Sequence, residues 1–158
     1  MFPALRPILN KGGAGRYISR EESVDRLQPI VESQLQLLRA YDHVCKRLED
    51  GTTRQRFEDV VLPNIRTELN KLYETVFSLG GSAPTGAAAE WRVDGFDGSD
   101  TDMLKALLER DREFGRMLTE EMDAVHHQER TRAILGHNAA KADDRQTMLR
   151  ALLADLGR

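Results

Sequence analysis

The sequence has a single cysteine, few aromatic residues and no long apolar run. One cysteine, Cys45, cannot form an internal disulfide, and we take the cytoplasm as the default compartment. Aromatic residues make up only 6% of the chain, which favours a helical bundle over a β-sandwich. No apolar run approaches the roughly 20 residues that a membrane-spanning helix needs. Pro3 and Pro7 interrupt the apolar N-terminus, so the sequence predicts neither a membrane span nor a secretory signal.

Charge and motif content exclude several further classes of function. The formal net charge is -3, so no general affinity for nucleic acid is expected. No Ser-His-Asp order, glycine-rich phosphate loop or paired cysteine motif is present. The 158 residues correspond to one domain that can bury a substantial core.

Apolar residues recur at helical spacing along most of the chain, and no segment alternates as a strand does. The most regular stretch, 61–81, places apolar residues at steps of three and four, which gives one buried stripe on a long helix: Leu62, Ile65, Leu69, Leu72, Val76 and Leu79. Ser19, with Ser23 as the alternative, is predicted to cap the start of the first helix and Ser99 that of the third, and Gly80-Gly81 ends the second. We predict four helices, at about 20–50, 53–80, 100–126 and 129–156. The last helix is either continuous or broken between Gly136 and Asp144.

The segments between these helices predict how they are arranged. A turn of a residue or two after Asp50-Gly51 makes the first two helices antiparallel neighbours. Residues 80–99 could extend about 60 Å, more than the roughly 40 Å of the second helix, so we predict a crossover along the bundle, anchored by Trp91 and Phe96. Residues 1–18 are predicted to form a flexible tail with a glycine-rich hinge. Pro63 is expected to kink the second helix.

Several local motifs resemble those of a known group of proteins. These are Leu79-Gly80-Gly81 with Pro84, Trp91-Arg92, Glu109-Arg110 within LLERDRE, and the segment from Arg132 to Leu152. Over roughly residues 22–157 the chain resembles the small bacterial four-helix-bundle proteins of unknown function in the ferritin-like superfamily. The resemblance implies an all-α, ferritin-like four-helix bundle. It also implies the buried dinuclear metal site of ferritin-like enzymes, in which two helices each supply a carboxylate and two supply a Glu-x-x-His pair.

The ligand pattern of that site is incomplete in this sequence. Lys71 follows Glu68 at the spacing where histidine is expected, and the last helix has no Glu-x-x-His motif. Gly136 and Gln146 stand where a glutamate and a histidine would be plausible. A reduced carboxylate set remains, because Glu32 and Glu68 fall at matching heights in an antiparallel pair. Together with Glu109 they are the candidate ligands for iron or manganese; the alternative is that they are solvated charges or partners of arginines.

Two further carboxylates, one cysteine and four histidines are candidates for buried or functional side chains. Asp111 and Glu121 interrupt an apolar stripe, and a carboxylate in a core must be paired, metal-bound or protonated. An arginine such as Arg39 or Arg66 is the expected partner, and a boundary position in reach of water is the alternative. Cys45 is predicted to be a buried core thiol. The four histidines are expected to be exposed: His43, His126, His127 and His137. If His126 and His127 lie in a turn, a metal site that they form with His137 is geometrically possible.

These observations leave two hypotheses for function. The first is a non-enzymatic interaction or assembly module that self-associates through helix faces and needs no cofactor. The second is a ferritin-like protein that binds iron or manganese through Glu32, Glu68 and Glu109.

Overall fold

The computed structural model describes residues 19–82, 95–125 and 128–157, and every regular element within these ranges is helical. The helices are α1 (Arg20–Arg47), α2 (Gly51–Arg56), α3 (Leu62–Ser78), α4 (Asp100–Ala124) and α5 (Glu129–Leu156). A π-helical turn, Phe57–Val61, joins α2 to α3. The prediction of an all-α bundle is confirmed. The tail predicted for residues 1–18 and the Trp91 anchor lie outside the described residues.

Local sequence signals set the helix ends. The hydroxyl of Ser19 accepts a hydrogen bond from the Glu22 amide at 3.1 Å. Ser99 and Asp102 form a capping box, in which each side chain accepts the other residue's backbone N–H at 3.1 Å. Gly80 has a φ of +85°, the left-handed conformation that ends a helix. These contacts satisfy backbone groups that have no partner within the helix.

The four long helices form a closed ring. α1 packs against α3 and α4, and α5 packs against the same two helices. Neighbouring helices run antiparallel, because residue numbers rise on one helix as they fall on the other. The pairs that lie close are Arg26–Glu121 and Gln36–Arg110 between α1 and α4, Asp111–Arg145 and Met122–Gly136 between α4 and α5, and Val24–Gly81 and Tyr41–Phe57 between α1 and the two ends of the segment that contains α3. Between α3 and α5, Lys71 lies beside His137, and the earlier residue Asn64 shares a pocket with residues 141–148. α3 and α4 are therefore diagonal to each other and run in the same direction.

The connection from α3 to α4 joins opposite ends of this ring. The backbone carbonyl of Ser82 accepts a hydrogen bond from Gln28, near the start of α1. Asp97 lies instead near the end of α1, with its carboxylate 3.8 Å from His43 and 3.9 Å from Arg47. The buried ring of Phe96 anchors this second end, as expected. The path between Ser82 and residue 95 lies outside the described residues.

Two of the predicted helices contain a position where the sequence pointed to an irregularity or a break. The irregularity expected at Pro63 lies just before it, where the Leu62 amide donates to the Phe57 carbonyl across the π turn. Because proline has no N–H, the helical hydrogen bond at this point is absent in any case. α5 is continuous through Gly136 and Asp144, so the alternative with a break does not occur.

The core is mainly aliphatic, and Cys45 belongs to it as predicted. Its largest fully buried side chains come from all four long helices and from the π turn: Tyr41, Phe57, Leu27, Ile30, Leu37, Ile65, Leu72, Met103, Leu104, Leu107, Leu118 and Leu135. Several polar side chains are buried among them, and these define the candidate site.

Candidate functional site

A buried network of three charged or polar side chains joins α1, α4 and α5. Arg145 on α5 donates from Nε to Asp111 Oδ2 at 2.7 Å and from Nη2 to Asp111 Oδ1 at 2.9 Å. The hydroxyl of Tyr41 on α1 donates to the same Asp111 Oδ2 at 2.5 Å. Tyr41 and Asp111 are fully buried and Arg145 is 7% exposed. The network is therefore a bidentate ion pair shielded from water, with a third donor on one oxygen.

Two further contacts fix the positions of these groups. The Gln146 side-chain amide donates to the Asp111 carbonyl at 3.2 Å, so α5 contacts both the backbone and the side chain at this point of α4. The Tyr41 ring lies against Phe57 of the π turn, with ring centroids 5.5 Å apart. Packing on one side and hydrogen bonds on the other hold the Tyr41 hydroxyl towards the carboxylate.

The electrostatics favour a charged ion pair beside a neutral tyrosine. Burial raises the pKa of Tyr41 well above its ordinary value, the Asp111 charge raises it further, and the Arg145 charge opposes the shift. Burial by itself would lower the pKa of Arg145, but the hydrogen bonds and charge of Asp111 outweigh this effect, and its pKa is raised. Arg145 thus keeps its charge inside the protein, and Tyr41 keeps its proton.

The prediction that an arginine pairs with Asp111 is confirmed, but the two arginines named as examples were wrong. The partner is Arg145, whereas Arg39 lies half-buried on α1 and Arg66 is exposed on α3. Arg145 stands three residues after Ala142 and four before Leu149, two inward-facing positions of α5. That helical spacing was a signal that Arg145 faces the core.

The second carboxylate that interrupts the apolar stripe lies at the boundary of the bundle. Glu121 pairs with Arg26 of α1 at 3.2 Å, and both side chains are between one quarter and one third exposed. Glu121 thus has an arginine partner and also reaches water, and the sequence predicted these two outcomes as alternatives.

A second buried carboxylate, Glu68 on α3, lies at the contact between α3 and α5. It is 3% exposed, and its Oε2 lies 2.7 Å from Nε2 of His137. Lys71 Nζ lies 3.6 Å from Glu68 Oε1 and 3.3 Å from the same His137 nitrogen. His137 is partly exposed, so the cluster runs from the core to the surface.

Two buried amide side chains were not predicted from the sequence. Gln34 of α1 is fully buried and Asn138, next to His137, is 1% exposed. None of their side-chain nitrogen and oxygen atoms has a hydrogen-bond partner among the described residues. Unpaired buried amides are the groups that ordered water satisfies in a protein interior. Their sequence signal was a polar residue at an inward-facing helical position.

Comparison with known proteins identifies a solved structure with a similar fold. No family model matches the chain, and no curated protein matches it. A crystal structure described as ferritin-like diiron-carboxylate proteins from Bacillus anthracis str. Ames superposes with a TM-score of 0.71, over 85% of this chain and 96% of that one. The chain has a ferritin-like fold. Sequence identity to that structure is 17%, so the likeness concerns the fold alone.

The carboxylates predicted as metal ligands are not brought together in this ferritin-like bundle. Glu32 is exposed on α1. Glu109 is exposed on α4 and lies 3.8 Å from Arg112 of the same helix. Glu68 is buried, but the structure places it beside His137 rather than beside the other two glutamates.

The donor set does not fit a dinuclear centre of the ferritin-like type. The inward carboxylate of α4, Asp111, bonds to Arg145 and Tyr41, and a cation, Lys71, lies next to Glu68. Within the described residues no three His, Cys, Asp or Glu side chains are grouped so that they could hold a metal ion. His126 and His127 lie outside the described residues.

No described helix is long and apolar enough to cross a membrane.

Proposed function

We propose that this ferritin-like bundle is a non-enzymatic interaction or assembly module that works without a dinuclear metal centre. The observation that carries the proposal is the buried ion pair of Asp111 and Arg145. Both carboxylate oxygens of Asp111 accept hydrogen bonds from Arg145, and one also accepts from Tyr41. A metal ion would have to displace these donors and leave a buried guanidinium without its counter-charge, which is costly.

The second carboxylate supports the same proposal. Glu68 lies between Lys71 and His137, and Lys71 takes the helix position where ferritin-like metal enzymes have histidine. A lysine ammonium has three donors and no lone pair, so it compensates the carboxylate charge but cannot bind a metal ion. Cations of the chain itself thus neutralise both buried carboxylates.

An exposed aromatic residue supports self-association. Phe77, in the last turn of α3, is 70% exposed, and burying an aromatic side chain is a large favourable term in protein association. Tyr73, one turn earlier on the same helix, is partly buried and packs on the core. We propose that a second copy of the chain covers Phe77 at this end of the bundle.

Light scattering coupled to size exclusion tests the self-association. For the wild-type protein we expect a mass above that of one chain, which rises with concentration. For Phe77→Ser we expect the mass of the monomer. Val60→Ser is the matched control, because Val60 is the other large exposed apolar side chain among the described residues, at 43%, and lies in the π turn, at the opposite end of α3 from Phe77. A strictly monomeric protein over the whole concentration range would overturn this part of the proposal.

A metal-binding function is the second candidate, and the position of Glu68 is the observation that favours it. This buried carboxylate lies 2.7 Å from a histidine nitrogen, so two side chains of the types that bind iron or manganese lie together. The predicted reduced carboxylate set of Glu32, Glu68 and Glu109 would then assemble only when a metal ion binds, because Glu32 and Glu109 are exposed and apart from Glu68 in this structure.

Metal analysis of protein purified without chelators separates the two candidates. Stoichiometric iron or manganese that is lost in Glu68→Ala, but kept in Lys105→Ala, favours metal binding and overturns the first proposal. A metal-free protein whose melting temperature does not respond to added iron removes the second.

A further inference from the structure

We propose that a pocket between the π turn and α5 binds a small carboxylate that has an apolar body. The pocket has a volume of about 140 Å³ and opens beside the buried ion pair. Its walls come from the π turn, the first turn of α3 and the middle of α5. π turns within helices occur frequently at functional sites, and this one supplies apolar wall residues.

Arg145 gives the pocket a buried cationic group. It lines the pocket although it is only 7% exposed. A guanidinium has five N–H donors in a fixed plane, and the bond pair to Asp111 uses two of them. Tyr41 donates to the same Asp111 oxygen as Arg145 Nε. Arg145 can therefore present donors to a ligand while its contact with Asp111 keeps its orientation fixed.

Further polar groups at the rim favour an anion. Arg56 and Lys141 line the pocket, and neither has an ion-pair partner among the described residues. Asn64 adds an amide that can donate a hydrogen bond. Asp144 also lines the pocket and opposes an anion.

The charge count favours a single negative charge on the ligand. Arg56, Lys141 and Arg145 supply three positive charges, while Asp144 at the rim and Asp111 behind Arg145 supply two negative ones. The net charge of these five groups is therefore one positive charge, and a monoanion such as a carboxylate would neutralise it. A phosphate monoester, with a charge of about -1.5 to -2 at pH 7, would leave excess negative charge.

The remaining wall of the pocket is apolar, and it favours a ligand whose uncharged part is apolar as well. Val60, Val61 and Met148 line it, and Met side chains adapt to ligands of different shape. The volume is smaller than the roughly 300 Å³ at which pockets for drug-sized ligands begin. The pocket therefore suits a molecule of the size of benzoate, with the carboxylate towards Arg145 and the apolar body against Met148.

Benzoate is the probe for this site, followed by amide chemical shifts in two-dimensional NMR at constant ionic strength. We expect saturable shifts concentrated in residues 56–64 and 141–148. Lys141→Gln and Arg56→Gln should each weaken binding several-fold. Arg150→Gln is the matched control, because Arg150 is an exposed cation of the same helix outside the pocket, and it should leave the affinity unchanged.

Three outcomes would overturn the proposal. One is the absence of saturable shifts in these segments. The second is equal binding of benzyl alcohol, which would show that charge plays no part. The third is tighter binding of phenyl phosphate than of benzoate, which would contradict the assignment to a monoanion. The variants change rim residues and leave Asp111 and Arg145 intact, so each variant is expected to fold. Retained chemical-shift dispersion checks this for each one.

Discussion

Arg145 and Asp111 meet edge to edge inside the bundle, with Nε 2.7 Å from Oδ2 and Nη2 2.9 Å from Oδ1. A buried ion pair of this kind adds little net stability compared with a well-packed apolar pair, but it is costly to break in half. Since Tyr41 donates to the same carboxylate, three helices are tied to one carboxyl group. The relative positions of α1, α4 and α5 thus depend on Asp111.

Removing one partner of the ion pair should therefore be far more damaging than removing both. Asp111→Ala leaves the Arg145 charge buried without a counter-charge, and we expect a loss of about 3–5 kcal/mol in the free energy of unfolding. The double variant Asp111→Leu with Arg145→Met keeps side-chain volume without any buried charge, and we expect it to lose much less. Urea denaturation measures both values.

A neighbouring carboxylate gives the control for this prediction. Glu109 lies two residues from Asp111 but is exposed, and Glu109→Ala should change the free energy of unfolding by no more than about 0.5 kcal/mol. If Asp111→Ala costs no more than Glu109→Ala, the ion pair has no role in holding the bundle together.

Tyr41 should make the protein sensitive to alkaline pH. Its pKa is raised in the folded state, first by burial and then by the Asp111 charge, whereas the unfolded chain ionises near pH 10. Above that pH the unfolded state releases a proton that the native state keeps, so stability falls as pH rises, by about 1.4 kcal/mol per pH unit from this group. Urea denaturation at a series of pH values from 8 to 11 measures the slope.

Tyr41→Phe isolates this effect from other alkaline titrations. The variant loses a hydrogen bond to a charged group, which is worth about 1.5–3 kcal/mol at neutral pH. Its free energy of unfolding should also fall less steeply with pH above pH 10, because the tyrosine hydroxyl is absent. The difference in stability between the two proteins should therefore shrink as pH rises. A difference that stays constant to pH 11 would contradict the raised pKa of Tyr41.

The sequence predicted the features that depend on local spacing. The apolar stripes predicted all four long helices, and the caps at Ser19 and Ser99 appear in the structure with the expected hydrogen bonds. Helix order and the long connection between α3 and α4 predicted a bundle with a crossover, and the resemblance to ferritin-like proteins implied its type. Such features need only the nearest turns of one helix or the length of one loop.

Features that depend on contacts between helices were harder to predict. The sequence marked Asp111 as an inward carboxylate but did not show that Arg145, on another helix, would face it. The pairing of Glu68 with His137 was missed for the same reason, because the rotation of each helix about its axis decides which side chains meet. The π turn was missed because an extra residue in one turn leaves no clear compositional signal.

Gly81 allows a close approach between the end of α3 and the start of α1. A Cβ atom at this position would lie 2.6 Å from Cγ1 and 2.8 Å from Cγ2 of Val24, a buried core residue. Gly81→Ala should therefore overpack the contact and lower the free energy of unfolding by about 1–3 kcal/mol. Gly51→Ala is the matched control, since a Cβ there meets nothing within 4 Å, and it should be close to neutral.

The steric cause of the Gly81 effect can be tested with a double-mutant cycle. Val24→Ala removes the two methyl groups closest to the new Cβ and leaves only Val76 Cγ1, at 3.2 Å, so in its background Gly81→Ala should cost at least about 1 kcal/mol less than in the wild type. Urea denaturation of the four proteins measures this coupling. If the two substitutions are simply additive, the cost of Gly81→Ala comes from the backbone at the helix end, and the contact between α1 and α3 does not require glycine there.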